Sequence, residues 1–173
     1  RKHNGHIEIE SEPGRGTSVH IYLPASDKSL NGSATGNDQP VHGSGRILVM
    51  DDEEAIRDMA AALLSHFGYR SDVARDGEEA IALYKEAKAR KDPFSLVIMD
   101  LTIPGGLGGK ETIARLHEFD PFVKAVVSSG YSTDPIVANF RQYGFAGILT
   151  KPYTAKEMSE VIRKVLSEKT ETT

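Results

Sequence analysis

Several short apolar runs in this chain end in residues that can do chemistry. Asp51 and Asp52 follow the run 47–50, Asp100 follows 96–99, Ser129 follows 124–128, and Lys151 closely follows 147–149. Three carboxylates brought together repel one another and need a hard divalent cation. Mg²⁺ suits them, because it favours oxygen ligands and keeps several waters; Mn²⁺ is the substitute. A lysine beside them neutralises further charge, and a lysine and a hydroxyl can both hold the oxygens of a transferred phosphoryl group. An aspartate can itself be a nucleophile and form an acyl phosphate.

These residues are spread over a hundred positions, so a fold has to collect them. From Arg46 onward, short apolar runs alternate with segments of helical periodicity. Strands are expected at 47–50, 71–74, 96–99, 124–128 and 147–149, and helices at 54–67, 77–90, 110–119, 135–143 and 155–166. Gly68 stops the first helix, Pro135 opens the fourth, and Met158, Val161, Ile162 and Val165 mark one face of the last. Strict alternation of strand and helix predicts an α/β fold, a doubly wound parallel sheet with helices on both faces and strand order 2-1-3-4-5. Such sheets bind ligands beyond the carboxyl ends of their strands, at the point where strand order reverses. That rule brings Asp51, Asp52, Asp100, Ser129 and Lys151 to one edge.

The rest of the chain is of another kind. Residues 6–24 alternate Ile7 and Ile9 with glutamates, and Val19, Ile21 and Leu23 with His20 and Tyr22, around a Pro-Gly-rich turn. This is a β-hairpin pattern, and a lone hairpin is marginally stable. Residues 25–45 are small and polar and read as a flexible linker. The chain has no cysteine, which excludes disulfides and thiolate metal sites, and six histidines without metal spacing, read as surface residues. A net charge of −4 with no Lys/Arg cluster argues against nucleic acid as a partner. No apolar stretch is long enough for a bilayer span, no signal peptide is visible, and direct membrane contact is not expected. A cytoplasmic location fits the lack of cysteine, and the start at Arg1 reads as the interior of a longer protein, whose parent could be membrane-anchored.

The segments ILVMDDEE, LVIMDLTIPGGLGG, VVSSGYS and ILTKPY, in this order and after these strands, resemble the receiver domain of two-component response regulators. The resemblance covers residues 46–169 and leaves 170–173 as a tail. It implies a flavodoxin-like fold and a module that takes a phosphoryl group from the phosphohistidine of a histidine kinase core or a histidine phosphotransfer domain, switches conformation and slowly dephosphorylates itself. Asp100 would be the phosphoacceptor, Asp52 a direct metal ligand, and Asp51 an acidic partner acting largely through water. Thr102 would offer its backbone carbonyl to the metal. Ser129 rather than Ser128 matches the switch hydroxyl, Lys151 would grip the phosphoryl group, and the Lys151–Pro152 bond would be cis. The family often carries an aromatic switch residue three before the lysine, where this chain has Ile148. The loop after Asp100 carries Gly105, Gly106, Gly108 and Gly109 and is expected to be mobile.

The segment NGHIEIESEPGRGTSVHIYLP resembles the last strands of a histidine-kinase ATPase domain, where Gly14, Gly16 and Thr17 would be a remnant of nucleotide binding, inactive here. The parent would then be a hybrid histidine kinase, a transferase, while residues 1–24 plus the receiver catalyse only their own phosphoryl transfer and dephosphorylation. Two rivals are an unphosphorylated pseudo-receiver, disfavoured by the intact acidic set, and an aspartyl-phosphate phosphatase, disfavoured by Thr102 where a second acid belongs. The stretch Gly105–Lys110 imitates a phosphate loop, but Pro104 and Glu111 break the Walker pattern.

Overall fold

The structure, a computed structural model, describes residues 5–25, 43–130 and 135–168. These fall into two compact units, one within Arg1–Asp38 and one within Gln39–Thr173. Most of the segment read as a linker, and the tail 170–173, lie outside the described residues.

The smaller unit is an antiparallel hairpin of β1 (His6–Glu12) and β2 (Gly16–Tyr22). Its turn explains both of its glycines. Gly14 and Gly16 sit at φ +79° and +104°, where an L side chain is strained, and the Arg15 N–H donates to Glu12 O. Ile7 pairs with Ile21 and Ile9 with Val19, so one face carries a stripe of aliphatic residues, each 55–66% exposed.

The larger unit is a five-stranded parallel sheet built from β3 (Arg46–Met50), β4 (Arg70–Ala74), β5 (Leu96–Asp100), β6 (Ala125–Ser129) and β7 (Gly147–Thr150). The order β4-β3-β5-β6-β7 is the expected 2-1-3-4-5. Side chains alternate across the strands and separate two cores. Leu48, Met50, Val97, Met99, Ala125 and Val127 face α2 (Gly77–Ala89) and α3 (Gly109–Phe119). Ile47, Val49, Leu96, Ile98, Val126 and Leu149 face α1 (Glu54–His66) and α5 (Ala155–Ser167). Helix α5 opens with a capping box between Thr154 and Glu157, which satisfies backbone donors at its first turn. Leu116 on α3 is fully buried in the first core. Leu116→Ala is expected to cost about 2–5 kcal/mol, seen as a lower urea midpoint with an unchanged slope; an unchanged midpoint would contradict this packing.

At the amino-terminal end of the sheet, Arg46 joins three segments. Its Nε and Nη2 donate to Asp72 at 2.7 and 2.8 Å, its Nη1 reaches Asp92, and its guanidinium lies 4.5 Å from the Phe94 ring centroid. Arg70 pairs with Asp92 as well. Gly43 and Gly45, from the end of the 25–45 segment, are tied in here: the Gly43 N–H donates to Phe67 O and the Arg70 N–H to Gly45 O.

Two expectations need correction. The helix read over 135–143 is instead a four-residue α4 (Pro135–Ala138) and a 3₁₀ turn over Phe140–Tyr143. Asn139 breaks it: its backbone is not helical and its Nδ2 donates to Pro135 O, so the side chain competes with the main chain. His117, read as a surface residue, is half-buried with Nε2 3.2 Å from Gly144 O. His3 and His42 lie outside the described residues. Among the described residues no helix is long and apolar enough to cross a membrane.

Candidate functional site

Strands β3 and β5 are neighbours in the sheet; Asp51 and Asp52 directly follow β3, and β5 ends in Asp100. Asp51, Asp52 and Asp100 each offer a carboxylate oxygen, all within 4.8 Å of one another. Asp51 is only 2% exposed, Asp100 half-buried and Asp52 open to solvent. At an effective dielectric of about 20, carboxylates at this spacing repel by about 3–4 kcal/mol per pair, less for the solvated Asp52. Lys151, from the loop after β7, answers part of this: its Nζ donates to Asp51 Oδ2 at 2.6 Å and to Asp100 Oδ2 at 2.8 Å. Burial alone would lower the Lys151 pKa. Hydrogen bonds to Asp100 and Asp51, and then their charges, outweigh it and hold the ammonium above its ordinary value. The lysine still leaves two of three negative charges unbalanced, and an all-oxygen donor set of this kind fits Mg²⁺ or Mn²⁺.

The backbone around the acids is held firmly. The Glu53 N–H donates to Asp51 Oδ1 at 3.0 Å, and Arg57 Nη1 donates to the carbonyls of Asp51 and Asp52 at 2.7 and 2.8 Å. Arg57 escaped the sequence reading because an arginine in the first turn of an amphipathic helix is unremarkable until the loop folds back on it. Neither Asp51 nor Asp52 caps α1, whose N-cap is Glu53, with no side-chain cap bond. The Thr102 N–H approaches Asp100 Oδ1 at 3.3 Å. Ser129 is buried at the end of β6, and its carbonyl accepts from the Lys151 N–H at 2.8 Å. The Lys151–Pro152 peptide is cis. Ile148 is half-buried beside the first core with Ile136, Val137, Phe140 and Tyr143.

The glycine loop has steric reasons for its composition. Gly105 needs φ +71° in open space. A Cβ on Gly108 would lie 2.6 Å from Leu101 O, and one on Gly109 2.7 Å from Asp100 O, so α3 starts against the backbone that carries Asp100. The N–H groups of Gly106 and Gly109 are already bonded to Ile103 O and Leu101 O, which removes them as phosphate donors.

A doubly wound sheet with this acidic cluster and lysine at its carboxyl edge defines a signalling receiver. Residues 47–163 match the family described as response regulator receiver domain, and the chain belongs to that family. It is 27% identical to a sensor kinase, CckA, of Brucella abortus over 94% of this chain and 18% of the kinase. It is 33% identical to the response regulator GacA of Pseudomonas protegens over 70% of this chain and 55% of that protein. It therefore spans from about a fifth to about half of these relatives. Among solved structures, the chemotaxis protein CheY4 of Vibrio cholerae superposes with a TM-score of 0.61 at 26% identity, covering 71% of this chain and 99% of that one. Receiver domains of two-component systems bind Mg²⁺ through acidic residues and work with histidine kinases or phosphotransfer partners, and the acidic cluster is present here.

Proposed function

We propose that Asp100 accepts a phosphoryl group from a phosphohistidine and later loses it to water. The observation that carries this reading is Lys151 Nζ bridging Asp51 and Asp100 beside the third carboxylate, Asp52. An Asp100 oxygen forms the O–P bond as the N–P bond breaks, and the electron pair of that bond remains on the imidazole. Lys151 turns from the free carboxylates to the oxygens of the new phosphoryl group, and Ser129 offers its hydroxyl to another. Attack of water on phosphorus then releases phosphate and restores the carboxylate. Asp52, Asp51, Asp100 and the Thr102 carbonyl would hold the cation, which when bound would offset the charge of the phosphoryl oxygens. Arg57 fixes the loop that carries Asp51 and Asp52.

The phosphodonor is a histidine kinase core or a histidine phosphotransfer domain, and the parent is a hybrid histidine kinase whose ATPase domain ends in residues 1–24, joined by 25–45 to the receiver at 46–169. The extent of the likeness to the Brucella kinase, well beyond the receiver, supports this. Addition of beryllofluoride with Mg²⁺ tests the receiver reading. Amide resonances of Asp100, Ser129 and Lys151 are expected to shift together. Silence at all three would favour an interaction module that is never phosphorylated.

A further inference from the structure

The three carboxylates of the acidic cluster are not held alike. Asp51 is buried, with one carboxylate oxygen taken by the Glu53 N–H and the other by Lys151. Asp100 accepts from Lys151 at 2.8 Å and from the Thr102 N–H at 3.3 Å. Asp52 is exposed, and nothing among the described residues donates to its carboxylate. It lies in a bend between β3 and α1, outside the regular bonding of either element. Its main chain is what the structure holds. Arg57 Nη1 donates to Asp51 O at 2.7 Å and to Asp52 O at 2.8 Å. The first carbonyl belongs to the peptide plane before the Asp52 Cα, and the second to the plane after it. Because peptide units are planar, one nitrogen fixes φ and ψ of Asp52 together, and with them the direction of its Cα–Cβ bond. Arg57 is half-buried and forms no ion pair with a described carboxylate, although Glu53, Glu54 and Asp58 are near in sequence. Its charge is directed at the two carbonyls, and hydrogen bonds from a charged donor are the stronger kind.

We propose that Arg57 is a positioning residue that aims the Asp52 carboxylate into the cluster and so makes the site select small divalent cations over large ones. This rests on the cation role given to Asp52 above. Mg²⁺ demands near-octahedral oxygens at about 2.0–2.1 Å, whereas Ca²⁺ accepts about six to eight oxygens at about 2.3–2.6 Å in flexible arrangements. An exposed ligand aimed by its own backbone suits the first ion, and a ligand that swings costs the first ion more than the second. Arg57 also places a positive charge on the loop that carries the acids. Repulsion from that charge would oppose every divalent ion alike, so it cancels in the ratio of the Mg²⁺ and Ca²⁺ affinities. Aim does not cancel, and that ratio separates the two effects.

The test titrates the whole chain with Mg²⁺ and, separately, with Ca²⁺, followed by amide shifts. Arg57→Met keeps much of the stem and removes the donor, and its Mg²⁺/Ca²⁺ affinity ratio is expected to fall about tenfold, as for loss of other groups that orient metal ligands. Arg57→Lys keeps a charged donor and is expected to stay within about threefold of the unaltered chain. A purely structural arginine would lower the urea midpoint of Arg57→Met and leave the ratio where it was. An unchanged ratio in Arg57→Met, or a ratio in Arg57→Lys as low as in Arg57→Met, would overturn the proposal and leave the cation role of Asp52 standing. If the unaltered chain shows no Mg²⁺-dependent shift at Asp52 and Asp100, both fall. Should Arg57→Met fail to fold, the unaltered chain still decides. Its two Arg57 Nη1 hydrogens are expected to give separate resonances at low temperature, and one averaged guanidinium signal would overturn the clamp.

Discussion

Asp100→Asn is expected to gain no phosphoryl group from a small phosphodonor in the presence of Mg²⁺, whereas the unaltered chain gains one. The substitution keeps the shape of the side chain and removes the anionic oxygen that attacks phosphorus. The neighbouring carboxylates cannot take its place without cost: Asp51 is buried and fixed between the Glu53 N–H and Lys151, and Asp52 lies at the solvent edge. Labelling should therefore fall to background rather than move to another residue. Intact-mass analysis reads the result directly, and circular dichroism checks that the fold is retained. Equal labelling of the variant would reject Asp100 as the acceptor.

The second large effect concerns the cation. Asp52→Ala removes an exposed charged oxygen from the acidic cluster, whereas Thr102→Ala leaves the main-chain carbonyl in place. Loss of groups that only support a metal ligand already weakens affinity by about 10–100-fold. Loss of Asp52 is expected to do at least as much, and Thr102→Ala to stay within about twofold. A Mg²⁺ titration followed by amide shifts gives the order, and the reverse order would refute these roles.

Much of the fold was legible because each buried strand of a parallel sheet is a short continuous apolar run, and each covering helix repeats its apolar residues at helical spacing. The residues of the acidic cluster and Lys151 were legible for the same reason, since they stand where those runs stop. What escaped depends on contacts that leave no period in the sequence. Asn139 ends α4 through its own side chain, in a stretch whose apolar residues still look helical. Met59 fits the apolar stripe of α1, yet it is 42% exposed and borders the groove beside Lys151. Arg57 acquires meaning only from the carbonyls of Asp51 and Asp52 brought near it by folding. From its composition the glycine loop is expected to be mobile. At Gly108 and Gly109 the structure shows backbone lying where a methyl group would go.

The Arg46 cluster lies at the opposite end of the sheet from the aspartates of the acidic cluster. Two strand starts and the loop before β5 are fastened there by charge and ring contacts that share no atom with the acidic cluster. Loosening that anchor is expected to lower the stability of the domain while leaving every carboxylate of the acidic cluster in place, so the two ends of the sheet can be altered by separate substitutions.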